Sequence, residues 1–401
     1  MLSPGTFALT ALLALLTALG PLAMDLYLPS LPAIEAALAA SAAQVQLTIS
    51  VYLIGFAIGQ LIYGPISDRF GRKPVLGAAL GIFCVGTLVC STAPTIGALI
   101  AARAVQGAGA AGVIVLTRAI VRDLYEGARA GRELSLMGAI MGVAPIMAPM
   151  IGGFTQTQFG WRFGFIVILV AGIAAIAVVA RLLPETSRSS KPAGHPIVAL
   201  VRSFAIVGRN AGFLAHLGIA TASYAGLFAY ISGSSFVLQG VYGLSPLEFG
   251  LFYGMISLGF IAGTLTGAKI VTRHGFNRSL GVGAAALAGG GLLLIAAVGF
   301  APSRIAVLAL PMMIFLAGVG LVLPLSMAAA LHPFPERAGA ASSFMGSVQQ
   351  VVGAAVGVII GHALGASAWP MVIGIAVSGC TTLLLWLATR DVRTRPLKPH
   401  T

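Results

Sequence analysis

Nine of the ten Asp and Glu residues in this sequence lie where long apolar runs end: Asp68, Asp123, Glu126, Glu133, Glu185, Glu336 and Asp391 at one side, Glu35 and Glu248 at the other. Asp25 alone stands inside a run, and of the 23 Lys and Arg residues only Arg103 does. Charges at membrane depth are costly and usually face a cavity or a partner, so both are functional candidates. At 1.5 Å per residue, Asp25 lies roughly 28 Å along a helix starting near residue 6, and Arg103 about 10 to 12 Å into its own helix from the other face. Both therefore fall in the middle or the outer half of the membrane. Burial and a nearby cation act on a carboxyl group in opposite senses, so small changes in hydration or partner distance switch its protonation. That is the chemistry of a proton carrier, with proton and cargo competing or alternating. The same two residues could instead form a lasting ion pair that only locks two helices.

The elements that must hold them follow from hydropathy. With 401 residues, 58% hydrophobic and 8% charged, and a mean hydropathy of +1.00, the chain is no ordinary soluble protein; such a protein would be about a quarter charged. A membrane-spanning helix takes roughly 20 apolar residues. Apolar runs near 6–28, 44–64, 74–92, 96–121, 132–154, 162–182, 209–232, 246–268, 279–299, 304–331, 338–364 and 368–389 give twelve, an all-α membrane protein with no sizeable soluble domain. The net charge of +13 is explained by topology: 20 of the 23 basic residues fall on the side of the termini, and only Arg162 and Arg304 on the other. By the positive-inside rule both termini are expected in the cytoplasm. No nucleic-acid partner is needed to account for the charge. The first 28 residues read as a span and not a cleaved signal, since they have no basic start, are too long, and contain Pro21 and Asp25.

The longest cytoplasmic connection, rich in Ser, Pro and charge, divides the chain. The expected organisation is an N-terminal six-helix bundle over 1–183, a linker over 184–208, a second six-helix bundle over 209–390 and a tail over 391–401. A faint repeat supports the division, because Arg69-Phe70-Gly71 after the second span is echoed by Arg273-His274-Gly275 after the eighth, 204 residues on.

Several segments carry a family resemblance. Gly64-Pro65-Ile66-Ser67-Asp68-Arg69-Phe70-Gly71-Arg72-Lys73-Pro74 resembles the signature loop of the major facilitator superfamily. Arg103-Ala104-Val105-Gln106-Gly107-Ala108-Gly109 resembles a second motif, found in proton-coupled members. Ala148-Pro149-Met150-Ile151-Gly152-Gly153 is similar to the antiporter motif, with Ser135, Ala144 and Ala148 where earlier glycines usually stand. Met24-Asp25-Leu26-Tyr27-Leu28-Pro29-Ser30-Leu31-Pro32 and His332-Pro333-Phe334-Pro335 narrow the resemblance to drug:proton antiporters of the bicyclomycin and chloramphenicol resistance (Bcr/CflA) type. It implies twelve helices in two pseudo-symmetric six-helix bundles, alternating access, and proton-driven export of small amphipathic compounds. It further implies that Arg103 keeps Asp25 poised and that Gln106 faces the same cavity, although an interhelical hydrogen bond would equally account for Gln106. Asp68, Arg69, Arg72 and Asp123 would form a cytoplasmic gate, Asp68 facing the start of a helix near Gly339 and Arg72 pairing with Asp123. Thr272 stands where the second half would carry the equivalent of Asp68, so this latch should be one-sided. Pro145, Pro149, Gly152 and Gly153, with Gly138 and Gly142, allow close approach and a kink, read as a pivot or a seal against leakage.

The drug pocket is drawn from aromatic and flexible apolar residues on spans expected to line a central cavity: Tyr52, Met137, Met141, Tyr224, Phe228, Tyr253, Phe315, Phe344 and Met345, beside Asp25 and Gln106. His216 and His362 read as hydrogen-bonded helix residues rather than titrating ones. Cys84, Cys90 and Cys380 fall in apolar runs, which argues against a disulfide or a metal site. With no phosphate-cradling loop, paired intramembrane carboxylates or His/Cys cluster, the chain is not expected to be an enzyme or to use a cofactor beyond the proton gradient. The expected setting is a bacterial cytoplasmic membrane, as a monomer, with drug-like compounds and protons as partners. The rival is an exporter or symporter of a metabolite, an amino acid or a sugar, on the same fold.

Overall fold

The structure is a computed structural model, and it describes residues 6–125, 127–186, 196–301, 304–365 and 367–394. Among these residues it is helical throughout, without strands. The α-helices are α1 (Phe7–Asp25), α2 (Leu31–Ala37), α3 (Ala42–Phe70), α4 (Arg72–Thr92), α5 (Ile96–Leu124), α6 (Gly127–Phe159), α7 (Trp161–Leu182), α8 (Pro196–Val207), α9 (Ala211–Ser235), α10 (Pro246–Phe300), α11 (Ala306–Leu331), α12 (Ala338–Ala363), α13 (Trp369–Ala388) and α14 (Arg390–Thr394). The 55 residues of α10 are two spans joined at Gly275, whose φ of 77° no helix accommodates. Among the described residues ten helices are long and apolar enough to cross a membrane, and that break makes α10 two spans.

Three differences from the sequence expectation have plain causes. The first helix stops at Asp25 instead of running to residue 28, because Pro29 and Pro32 lack the N–H groups that would continue its ladder; a short 3-10 turn over Leu28–Ser30 leads into α2. The helix read as 44–64 runs on through Pro65 to Phe70, past the apolar stretch and into the charged loop. The expected linker over 184–208 contains α8, with Val207 fully buried and Phe204 stacked on Phe344 at 5.2 Å.

The chain forms two compact units. Unit 1 is residues 1–199 with 244–254, so the start of α10 clusters with the first unit. Within it α5 packs on α3 and α4, α4 on α7, and α1 on α6. These helices meet at backbone distance: a Cβ on Gly55 would sit 2.1 Å from the Ala104 carbonyl oxygen, and one on Gly107 2.1 Å from that of Tyr52. Between helices in lipid, where apolar surface gains nothing by leaving water, such dispersion contact is what holds spans together. Unit 2 is residues 200–243 with 255–401. There α9 is central, packed on α11, α12 and α13.

Candidate functional site

Asp25 ends α1 and is 6% exposed, the only buried carboxylate among the described residues. It has no ion-pair or hydrogen-bond partner among them, so the lasting pair with Arg103 is not the arrangement present. Arg103, from α5, is 0% exposed and is held by neutral groups. Its Nη1 donates to the Ala23 carbonyl at 3.2 Å and to Gln106 Oε1 at 2.5 Å. Its guanidinium lies 4.4 Å from the centre of the Tyr52 ring and 4.7 Å from that of Tyr27, with Phe165 at 6.0 Å. A buried cation over aromatic faces gains from their quadrupoles. Nε and Nη2 have no partner.

The rings are themselves fixed. Tyr52 donates to the Gly20 carbonyl at 3.0 Å, and the Tyr27 and Thr48 hydroxyls pair at 2.8 Å. Gln106 Nε2 donates to Thr87 Oγ1 at 2.8 Å, an interhelical bond to α4 that orients its carbonyl toward Arg103. Tyr52, Arg103 and Gln106 are thus brought together within unit 1, and Asp25 lies two residues along α1 from Ala23, whose carbonyl Arg103 holds. Tyr27 joins them, and only its place two residues after Asp25 could have marked it in the sequence.

A second cluster sits where α3 turns into α4. Arg72 Nη1 pairs with Asp68 at 2.5 Å and donates to Ser67 Oγ at 2.6 Å, while Nε bonds Asp123 at 2.7 Å. Arg69 stands apart, its guanidinium 5.3 Å from the Phe70 ring. Glu185, beyond α7, accepts from the backbone amides of Arg72 and Lys73 at 2.9 and 3.1 Å, placing a negative charge at the N-terminus of α4, where the helix dipole favours it. Sequence reasoning missed this role; the signal was a lone acid closing a span opposite a basic loop. The loop around Gly275 has no ion pair among the described residues, and Thr272 Oγ1 returns to the Lys269 carbonyl.

In α6, Gly152 lets the Leu26 carbonyl approach to within 2.2 Å of where a Cβ would stand. Gly153 does the same for Pro246, and Pro149 meets Gly250, each at 2.3 Å. Pro145 lies one turn before Pro149 inside the same helix.

The model of the Major Facilitator Superfamily matches residues 13–357. This chain belongs to that superfamily. Among superfamily members it is 35% identical over 362 residues to an uncharacterised MFS-type transporter, YdgK, of Bacillus subtilis, covering 88% of each chain. It is 32% identical to the bicyclomycin resistance protein homolog of Haemophilus influenzae, over 97% of this chain and 98% of that one. It is 31% identical to multidrug resistance protein D of Escherichia coli, over 86% of each. The superfamily fold is matched by the xylose transporter XylE of E. coli in a partially occluded inward-open conformation, with a TM-score of 0.75 at 16% identity, covering 96% of this chain and 97% of that one.

Against this superfamily background, the residues read as a drug pocket divide between the units. Tyr52, Met137 and Tyr253 are buried in unit 1, Tyr253 beside Phe249 with ring centres 5.7 Å apart. Phe228 is buried in unit 2 against Tyr224 at 4.7 Å. Phe344 stacks between Phe204 and Phe213, where it seats the linker helix α8. The side chain of Met141 lies outside the described residues.

Proposed function

We propose that this chain exports small amphipathic, drug-like compounds in exchange for protons, by alternating access. The observation that carries the reading is Asp25: a buried carboxyl without a partner among the described residues, two residues along its helix from the Ala23 carbonyl that a fully buried guanidinium holds. Such a carboxyl can take up and lose a proton without breaking a structural ion pair. The bicyclomycin and multidrug resistance relatives favour drugs as cargo over an amino acid or a sugar. The Arg72 cluster suits a latch at the cytoplasmic gate, and the Gly152 and Gly153 contacts suit a seal. Twenty basic residues on the side of the termini favour cytoplasmic termini in a bacterial inner membrane. The protein acts as a monomer, without a cofactor.

The test is proton release from detergent-purified protein on addition of drug. The wild type is expected to release protons, Asp25→Glu to keep release and Asp25→Asn to lose it while still folding. Release preserved in Asp25→Asn would remove Asp25 as the carrier.

A further inference from the structure

A spanning helix disposes of its faces toward lipid or toward neighbouring helices, and α3 has a face that does neither in the ordinary way. At 100° per residue, Ile54, Ile58 and Ile62 share a side, and at 38%, 53% and 46% exposure that apolar side is open to the surroundings of the bundle. Thr48, Tyr52, Gly55 and Gly59 share a second, which bonds or abuts Tyr27, Gly20, Ala104 and Ala108. Gln46, Ser50, Leu53, Ala57 and Gln60 lie within about 40° either side of a third line, and all five are buried.

The third face is polar and unpaired. Gln46 is 0% exposed and neither end of its amide has a partner; Ser50 is 2% exposed with a free hydroxyl; Gln60 Oε1 is buried and unbonded. Buried polar groups are nearly always paired, and each exception needs a cause. A helical hydroxyl ordinarily returns to a carbonyl one turn back, as Thr17, Thr48 and Ser67 do here. Ser50 does not. From Gln46 to Gln60 the groups extend about 21 Å along the helix, most of a hydrocarbon core of about 30 Å.

We infer that this face of α3 is a specificity-determining binding surface, on which Gln46, Ser50 and Gln60 hydrogen-bond uncharged carbonyl, hydroxyl or amide groups of the cargo. An amide and a hydroxyl each donate and accept, and the face carries no charge, so it discriminates by hydrogen bonding and not by charge. Asp25, in the same unit, carries the proton; the α3 face selects what is exchanged for it. The inference rests on the export reading above.

The test compares the wild type with Gln46→Met/Ser50→Ala and with Gln60→Met in proteoliposomes under a proton gradient. One probe is chloramphenicol, uncharged with amide and hydroxyl groups; the other is tetraphenylphosphonium, which has no hydrogen-bonding group. Both variants are expected to lose about tenfold in chloramphenicol transport, the size of one or two hydrogen bonds, with tetraphenylphosphonium unaffected and melting temperature held or raised, since no native bond is removed. Equal transport of chloramphenicol by variants and wild type would overturn the inference, as would a wild type that carries only tetraphenylphosphonium. Equal loss for both probes with a lowered melting temperature would also overturn it, by showing the face to be structural. Transport of neither probe by the wild type would overturn the export reading itself, and this inference with it.

Discussion

Arg103 shows how a charge is kept in a membrane protein without a counter-charge. Its surroundings are two tyrosine rings, a carbonyl and an amide oxygen, and the arrangement depends on a flat, delocalised cation. Lysine offers a compact ammonium that holds its water more tightly and cannot stack. Arg103→Lys is therefore expected to fold but to lose about tenfold or more in transport, a loss of roughly 1.4 kcal/mol or more; transport at the wild-type level in vesicles would show that charge alone suffices. Tyr52 separates ring from hydroxyl. Tyr52→Phe keeps the stacking and gives up only the bond to Gly20, at a cost of about 1 kcal/mol in stability, with transport retained. Tyr52→Leu removes the ring face and should impair transport as well, which paired thermal-melting and transport measurements would resolve. The sequence marked Asp25 and Arg103 because ionisable groups are conspicuous in apolar runs. It could not mark Gln46 or Ser50, since a single amide or hydroxyl in a helix is unremarkable until its neighbours are known to leave it unpaired.

At the scale of elements, helix existence was legible and helix ends were not. Apolar runs report the hydrocarbon core, whereas ends depend on caps and contacts: α3 begins with a capping box between Ser41 and Gln44, and α4 begins under Glu185 from a distant part of the chain. The linker helix α8 was hidden because its 12 residues are too few to register as a span, although Phe204 and Val207 give it a face to pack. Glycine roles separate only in three dimensions. Gly152 and Gly142 both lie in α6, yet a Cβ at 152 would meet the Leu26 carbonyl oxygen at 2.2 Å and one at 142 meets nothing within 4 Å. Gly152→Ala must push backbone apart and is expected to lower stability by about 1 to 3 kcal/mol. Gly142→Ala should be neutral or stabilising by up to about 1 kcal/mol, through helix propensity alone. Detergent melting curves of the two variants check this, and a similar loss in both would mean the contact at Leu26 is soft.

For the whole molecule, the backbone repeats what the sequence only hinted at. Gly71 and Gly275, 204 positions apart, both break a long helix with positive φ, 95° and 77°; an L side chain at either would be strained. The charges do not repeat. Asp68, Arg72 and Asp123 form one network in unit 1, while the matching turn has Thr272 bonded to its own helix. The two turns therefore share a backbone break but not the ion pairs, and a gate held by this network should fail from one turn only. Asp68→Ala is expected to lower transport several-fold, the loss of a charge-assisted bond of about 1.5 to 3 kcal/mol discounted for its exposure, and Thr272→Ala to leave transport unchanged. The same network makes the loss depend on ionic strength. Asp68 is half exposed, so salt screens its attraction to Arg72, and the gap between wild type and Asp68→Ala should narrow between low salt and 1 M, where the screening length is about 3 Å. Vesicle transport at the two salt concentrations measures this gap. A gap that does not close with salt would show that Asp68 acts through shape and not charge, and equal sensitivity of Thr272→Ala would show the gate to be two-sided after all.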